Sequence, residues 1–408
     1  MKFKTNFKHQ TRVTLVIGGG YVGLPLALLA AKNGKKVVIY DKSEKKCKQL
    51  AKGVSGISEN LDNELKKYIR SNSLSISNNI DANEGVNFGE IIICVPTPIT
   101  EEKLPDLSLV SAAMKSAVSV MSPETLIILE SSTYPGTTRD LALPQIRAKF
   151  PNIEDSGVLL AYSPERIDPG NKSWTNENTP RIVSGFNERS ISLASNFYKK
   201  LSVPVVEVDS LEIAEAAKLF ENSFRLVNIA LVNEFANTLR RLNIDPQKVL
   251  SAAYTKPFGI MPFKTSAGIG GHCIPVDPYY LTWWSSERGE KLGIIEAAQR
   301  ANEEMPKQVL LRIRNEIRFD LAGMKILLVG VTYKTGVPDA RETPATGIWK
   351  QLQEAGAELR WWDPLLSEWE SKKRFEITDF VPELILKLTS IDLPQEFKFS
   401  ARVIDLNY

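Results

Sequence analysis

The chain has 408 residues, 43% of them apolar and 24% charged, and a formal net charge of +3. This is ordinary globular composition for two or three domains, and the scattered lysines, without an aromatic-interleaved basic stripe, argue against a nucleic-acid partner. Three widely separated cysteines and two histidines exclude a disulfide framework and a histidine-based metal centre.

The opening MKFKTNFKHQTR, which holds His9, is basic but lacks the apolar core, roughly 7–15 residues, of a signal peptide. No apolar run reaches membrane-spanning length. A soluble cytoplasmic protein, with no membrane partner and no bound metal, is expected.

Residues 12–43, RVTLVIGGGYVGLPLALLAAKNGKKVVIYDKS, predict a strand over 13–17, a glycine turn, a helix over 24–32 stopped by Gly34, and a strand over 37–40. Gly18, Gly20 and Gly23 form G-x-G-x-x-G, and Asp41 stands 18 residues past Gly23. Gly18 allows the tight turn, Gly20 lets a pyrophosphate approach the backbone, and Gly23 lets the helix pack on the strand. The pyrophosphate then meets the helix N-terminus, and Asp41 takes the ribose hydroxyls and disfavours a 2′-phosphate. NAD is the expected cofactor, with Tyr21 and Val22 of the turn in its site.

Further strands end in loops at 90–99 (EIIICVPTPI), 125–138 (TLIILESSTYPGTT) and 159–170 (LLAYSPERIDPG). Ligands of a parallel sheet gather beyond such ends, which brings in Pro96, Thr97, Thr133, Glu165 and Arg166. Cys94 falls inside its strand and is expected in the core.

Residues 211–242 contain neither proline nor glycine, and Ala214, Ala217, Phe220, Phe224, Leu231, Phe235 and Leu239 fit one long helix with a broad buried face. Lys218 and Asn222 lie one turn apart on it, either as two solvated polar residues or as a cation and an amide aimed at one oxygen. A helix over 246–254 precedes TKPFGIMPFKTSAGIGGHCIPVDPYYL at 255–281. On residue type alone, Cys273 is either a buried structural cysteine or a nucleophile. A thiolate can attack an aldehyde, and the resulting thiohemiacetal can lose a hydride to leave a thioester that water hydrolyses. Asp277 is close enough in sequence to handle that water.

A second helical stretch over 292–318 is interrupted by Pro306. The strand pattern restarts in MKILLVGVTYKTGVPDARETPA (324–345), with a helix from about Thr343 and a strand in AELRWWDP that ends at Asp363. This echoes the opening unit without its glycine fingerprint. The expected architecture is α/β: two Rossmann-like doubly wound domains joined by a long central helix and a small helical middle domain. The expected boundaries are 1–208 for NAD, 209–305 for the central and dimerisation part with the cysteine loop, and 306–408 for the nucleotide sugar.

Seven motifs in order resemble the UDP-glucose/GDP-mannose dehydrogenase family: GGGYVGL (18–24), VPTP (95–98), ESSTYPGTT (130–138), SPERIDPG (163–170), AEAAKLFENSFR (214–225), GIGGHCIPVDP (268–278) and VTYKTGVPDARETPA (331–345). The resemblance implies oxidation of a sugar C6 alcohol to a carboxylate in two hydride transfers, with two NAD per sugar. It makes Cys273 the nucleophile, Asp277 its water-handling partner, Lys218 and Asn222 the oxyanion pair, and Thr133 and Glu165 aids to hydrolysis. Thr97 and Thr133 then stand near the cofactor. Lys264, Lys334 and Arg341 line the UDP-sugar site, which also takes Glu165, Arg166, Lys218, Asn222 and Gly270. His272 becomes a loop-shaping residue, and a homodimer is expected around the central helix.

Where the glucose branch commonly has lysine, this chain has Val276, which resembles the branch acting on UDP-N-acetylglucosamine or UDP-N-acetylmannosamine. The uronate of such enzymes usually feeds polysaccharide synthesis. Gly19 replaces a bulkier residue, Ser266–Ala267 replace a proline and so loosen the loop, and the last domain closes early on RVIDLNY. The rival readings are a UDP-glucose 6-dehydrogenase, a single-oxidation hydroxyacid dehydrogenase and a non-catalytic NAD-binding protein.

Overall fold

Strands covered by helices on both sides must be apolar on both faces, and the N-terminal strands are. The computed structural model describes residues 12–81, 85–168, 171, 173–376, 380–394, 397 and 400–407. His9, most of the basic opening, and Pro169 and Gly170 of the SPERIDPG motif lie outside the described residues. The chain divides into two compact units, Met1–Phe220 with Tyr279–Trp284, and Glu221–Pro278 with Ser285–Tyr408.

The first unit is built on one sheet. Its strands are β1 (Val13–Ile17), β2 (Lys36–Tyr40), β3 (Leu74–Ser77), β4 (Phe88–Ile93), β5 (Leu126–Leu129), β6 (Leu160–Tyr162), β7 (Arg181–Gly185) and β8 (Val205–Glu207). Their spatial order is β3-β2-β1-β4-β5-β6-β7-β8. Neighbours are parallel except β6 and β7. The order reverses between β1 and β4, so the crevice for a ligand opens at their carboxyl ends.

The helices are α1 (Gly23–Lys32), α2 (Glu44–Ala51), α3 (Glu59–Arg70), α4 (Ser108–Val120), α5 (Thr137–Lys149) and α6 (Glu188–Lys200). Side chains alternate across each strand, so Val16, Ile39, Ile92 and Ile128 pack under α1, α2, α3 and α6. Leu15, Ile17, Ile91 and Ile93 pack under α4, α5 and the start of α7 (Leu211–Arg241). β4 stops at Ile93, before the loop that carries Pro96 and Pro98, which have no N–H for the ladder. Cys94 is thus the first residue past the strand, and it is still buried in the core.

In the second unit, α7 continues into α8 (Pro246–Ala253). α9 (Asp277–Ser286), whose residues Tyr279–Trp284 belong to the first unit, is followed by α10 (Gly293–Glu303) and α11 (Met305–Ile317), with Pro306 in the first turn of α11, where its missing N–H costs nothing. One broad buried face on α7 is not what forms. Leu226, Ala230 and Ala236 are buried, whereas Phe220 (67%) and Leu231 (63%) are exposed, along with much of Phe224 and Phe235. A 31-residue helix outruns a single core, so its apolar residues divide between two faces.

A second sheet has the order β10-β9-β13-β14, all parallel, from β9 (Lys325–Val329), β10 (Glu358–Trp362), β13 (Leu384–Lys387) and β14 (Arg402–Asp405). β11 (Glu368–Trp369) and β12 (Lys372–Lys373) form a short hairpin. One face of the sheet carries α11 and α12 (Pro344–Glu354) over Ile326, Leu328 and Leu386. Opposite, Leu327, Val329 and Ile385 pack against Phe375, Phe380 and Phe397, and no helix lies there among the described residues. Asp363, the strand-terminal acid of this sheet, is fully buried and accepts bonds from the Thr332 N–H (3.1 Å) and hydroxyl (2.9 Å). It pins the loop after β9.

Candidate active site

In the first unit, the glycine turn after β1 has the shape its spacing predicts. Gly18 lies at φ +103°, where a side chain would strike the Cys94 carbonyl. A Cβ on Gly23 would collide with the Gly18 carbonyl, so α1 and β1 close together there. A Cβ on Gly20 would meet nothing within 4 Å, which leaves the backbone open to a ligand. α1 has no side-chain cap at Val22, and although the Leu24 N–H donates to the Gly20 carbonyl (3.1 Å) and Pro25 has none, the uncapped helix start keeps its dipole toward an anion. Asp41 accepts from the Gly19 N–H (2.9 Å) and the Ser43 N–H (2.8 Å), which fixes its carboxylate beside the turn. Gly19 faces Leu50 and Ile39 at 2.8 and 3.2 Å from a built Cβ, so Leu50 fills the space a bulkier residue would need.

The loops after β4 and β5 are tied together. The Val95 N–H donates to the Ser131 oxygen (3.1 Å) and the Ser131 hydroxyl donates to the Val95 carbonyl (2.7 Å). The segment Tyr279–Trp284 holds both loops. The Tyr280 hydroxyl donates to the Pro98 carbonyl (2.8 Å), the Trp284 indole N–H donates to the Pro135 carbonyl (3.0 Å), and Trp283 packs on Tyr134 at 4.9 Å. Pro96 and Thr97 sit on the first of these loops. Thr133, on the second, is fully buried, and its hydroxyl has no hydrogen-bond partner. A buried hydroxyl left unsatisfied is costly, which leaves that of Thr133 able to bond a water or ligand.

Glu165 follows β6 and accepts from the Ile167 N–H. Burial pushes its carboxyl above the ordinary range, and Lys218 and Arg181 pull it back. Lys218, buried on α7, is thus electrostatically coupled to Glu165. Arg166 donates to the Pro180 carbonyl (2.7 Å). Beneath this cluster Arg181 and Glu130 pair at 2.7 Å, and the Tyr198 hydroxyl donates to the same Glu130 oxygen at 2.5 Å.

In the second unit, the Cys273 carbonyl accepts the N–H groups of Val276 (3.1 Å) and Asp277 (2.8 Å), so the cysteine stands just before α9, half-exposed. Asp277 is buried, and its Oδ2 accepts from the Asn222 amide at 2.6 Å. Asn222, distant in sequence, is thus brought to Asp277, one turn past Cys273. Val276 is buried, so a lysine in its place would bury its ammonium.

The glycine-rich loop before Cys273 is not loosened. Ser266 exchanges two bonds with Asn233 of α7 (2.8 and 3.2 Å), and Ile269 exchanges two with Asn302 of α10 (2.8 and 3.3 Å). The glycines let this loop lie against residues 333–344: a Cβ on Gly270 would come within 2.9 Å of both Tyr333 and the Glu342 carbonyl, and one on Gly271 would meet the Tyr333 ring. His272 Nδ1 lies 3.4 Å from Arg341 Nη2 and 4.0 Å from Asp339 Oδ2. Burial alone would raise the Asp339 carboxyl, but the Arg341 bonds, with help from His272, hold it below the ordinary range. A pocket of about 190 Å³ opens at the carboxyl ends of β9 and β13, lined by Lys334 with Thr332, Thr335, Thr389, Ser390 and Asn407. Lys264 is exposed and does not line it.

Sequence reasoning missed Asn233, Asn302, Asp339, the threonines of the pocket and Glu215. Only Glu215 carried a signal, being three residues before Lys218 on one helix face. Among the described residues no helix is long and apolar enough to cross a membrane.

A doubly wound sheet with an open glycine turn and a strand-terminal acid, followed by a cysteine turn and a second parallel sheet, defines an NAD-dependent dehydrogenase with an added nucleotide domain. The chain belongs to the UDP-glucose/GDP-mannose dehydrogenase family: its NAD binding domain matches residues 12–202, its central domain 212–304, and its UDP binding domain 327–394. It is 34% identical to Protein CapL of Staphylococcus aureus over 382 residues, 93% of this chain and 88% of that one. It is 35% identical to the UDP-N-acetyl-D-glucosamine 6-dehydrogenase of Pseudomonas aeruginosa over 368 residues, 89% of this chain and 85% of the relative. Among solved structures, the UDP-D-ManNAc dehydrogenase of Pyrococcus horikoshii superposes with a TM-score of 0.85 at 29% identity, covering 97% of this chain and 95% of the other.

Proposed function

We propose that the protein oxidises a UDP-N-acetylhexosamine, the gluco or manno epimer, at C6 to the uronate, with Cys273 as covalent nucleophile. The observation that carries this is the linkage of Cys273, Asp277 and Asn222 through bonds of 2.8 and 2.6 Å. The first is a backbone bond that sets the turn holding the half-exposed cysteine, and the second aims the Asp277 carboxylate at the Asn222 amide. The relatives named for N-acetyl sugars and the buried Val276 support the N-acetyl branch over UDP-glucose.

The residues present fit NAD: the open backbone at Gly20, the uncapped start of α1 and the fixed Asp41 suit a pyrophosphate and a ribose diol. Tyr21, Val22, Pro96 and Thr97 complete that side. When bound, NAD supplies hydride acceptance, twice per sugar.

The chain's own residues do the rest. The C6 alcohol loses a proton and a hydride to become an aldehyde. The Cys273 thiolate adds to the aldehyde carbon, and Lys218 and Asn222 stabilise the alkoxide formed, with Asp277 orienting the Asn222 amide. Loss of the second hydride leaves a thioester on Cys273. Thr133 and Glu165 position the water, and Asp277 takes its proton. Covalent capture retains an aldehyde that would otherwise escape. Lys334, Arg341, Gly270, Arg166 and Lys264 serve the nucleotide sugar, Asp339 holds Arg341 in place, and His272 shapes the loop beside it.

The functional division follows 1–208, 209–305 and 306–408. The exposed Phe220, Phe224, Leu231 and Phe235 suit a homodimer along α7, and a cytoplasmic location suits the soluble nucleotide sugar. The test is stoichiometric: limiting UDP-N-acetylglucosamine, UDP-N-acetylmannosamine or UDP-glucose with excess NAD. Two NADH per N-acetyl sugar, and little with glucose, is the expected result. One NADH per sugar would refute covalent capture, and none with any sugar would refute the activity.

A further inference from the structure

We infer that Glu215 is a positioning residue for thioester hydrolysis, clamping the loop that carries Thr133 onto the turn of α7 that carries Lys218. The inference rests on the thioester reading above.

Glu215 is fully buried in the first unit and takes no part in the chemistry proposed so far. Three residues before Lys218, it lies on the same side of α7, one turn away. Its Oε2 accepts from the Gly136 N–H at 2.6 Å, and its Oε1 accepts from the Thr138 N–H at 2.8 Å and hydroxyl at 2.6 Å. These donors begin α5, whose N-cap is Gly136 at φ +98° with no side-chain cap of its own. The carboxylate therefore does from a distant element what a local cap usually does, with the helix dipole in its favour.

The consequence lies three residues upstream. Between β5 and α5 the loop is fastened at Ser131 to Val95, at Tyr134 by the Thr137 hydroxyl (2.7 Å), at Pro135 by Trp284, and at Gly136 and Thr138 by Glu215. Thr133, in its middle, keeps its hydroxyl unused and buried. Fastening both ends of a short loop while sparing one hydroxyl holds that hydroxyl at a set distance from Lys218. Glu212, one turn earlier, is itself paired with Arg139 at 2.7 Å, so Glu215 is the carboxylate these donors share.

The step served is hydrolysis. The oxygen of water bonds to the C6 carbonyl carbon, the carbon–sulfur bond breaks with its electron pair going to sulfur, and a carboxylate, the Cys273 thiol and one proton result. Displacing Thr133 slows this step and leaves the two oxidations before it.

Glu215→Gln places an amide N–H against backbone donors. Thr138→Val removes one bond at constant shape, and Thr138→Ser restores it. Quenched-flow with the N-acetyl sugar turned over by wild type, together with the mass of the acid-quenched Cys273 peptide, reads the outcome. Glu215→Gln is expected to keep the NADH burst and a KM within about twofold, while kcat falls about tenfold to a hundredfold and acyl adduct accumulates on Cys273. Thr138→Val shifts kcat the same way by about threefold even if Glu215→Gln does not fold, and Thr138→Ser stays near wild type. An unchanged kcat in both Glu215→Gln and Thr138→Val overturns the inference. So does a burst that falls with turnover and leaves no adduct, since the carboxylate then merely supports the fold. A wild type without burst or adduct overturns the thioester reading, and the inference with it.

Discussion

Arg181→Met removes half of the most deeply buried ion pair among the described residues. Glu130 Oε1 receives the Arg181 guanidinium at 2.7 Å and the Tyr198 hydroxyl at 2.5 Å, and its Oε2 faces the Cys94 thiol at 3.7 Å. Without the guanidinium, a fully buried carboxylate keeps only a hydroxyl and a thiol. Breaking such a pair from one side costs about 3–5 kcal/mol. For a domain of about 200 residues that lowers the melting temperature by roughly 10 °C. Scanning calorimetry of the whole protein reads this in the transition of the first unit. The double variant Arg181→Met with Glu130→Gln removes the stranded charge and should recover at least about 2 kcal/mol. Glu130 also begins the loop to Thr133, so the single variant should lose turnover as well. A loss below about 1 kcal/mol, or a double variant no better than Arg181→Met, would show that the pair is not what holds this part of the core.

Burial pushes the Glu215 carboxyl up to about 7, although Thr138 and Gly136 donate to it. Its folded value is above its unfolded one, so its contribution to stability is complete below about pH 4.5 and is lost as pH rises through about 7, roughly 3 kcal/mol in all. Urea midpoints between pH 5 and 8 should fall in wild type and run flatter in Glu215→Gln; parallel curves would contradict the assignment. Iodoacetamide should modify Cys273 alone in the native protein, because burial raises the Cys47 thiol to about 11 and the Cys94 thiol well above its ordinary value. Peptide mapping that finds Cys94 labelled as fast as Cys273 would refute this. Gly19→Leu should cost about 1–3 kcal/mol by crowding Leu50 and Ile39, with Leu50→Ala relieving it in the same chain. A neutral Gly19→Leu in urea unfolding would mean that Leu50 moves aside freely.

Much of the fold was legible because its signals are local. The apolar runs at 13–17 and 37–40 could only be covered strands, Gly18, Gly20 and Gly23 each answer to a different steric demand, and Thr343 caps α12 where the pattern restarts. The long helix was legible as well, but not its two faces. Periodicity reports that Phe220 and Leu231 are apolar, and only the arrangement of neighbours decides that they stay exposed. Glycines as dense as those before Cys273 permit close approach, yet nothing local says that Tyr333 and Glu342 are what approaches.

The sequence by itself determined the chemistry available to this protein: a dinucleotide turn, a thiol beside glycines and an aspartate, and a lysine and an amide one turn apart. Residue type and short-range spacing carry all of these, since they depend on backbone sterics and helix pitch. The tertiary structure decided which partner each group has. Asp277 holds Asn222, Asp339 holds Arg341 beside His272, Asp363 pins Thr332, and Glu215 holds the start of α5. Four carboxylates of similar acidity in water, three aspartates and a glutamate, thus acquire four different tasks. Burial withdraws the solvent that makes them alike, and for Asp277, Asp363 and Glu215 the donors left within reach come from segments far away in the chain, whereas Asp339 draws on Arg341 two residues on.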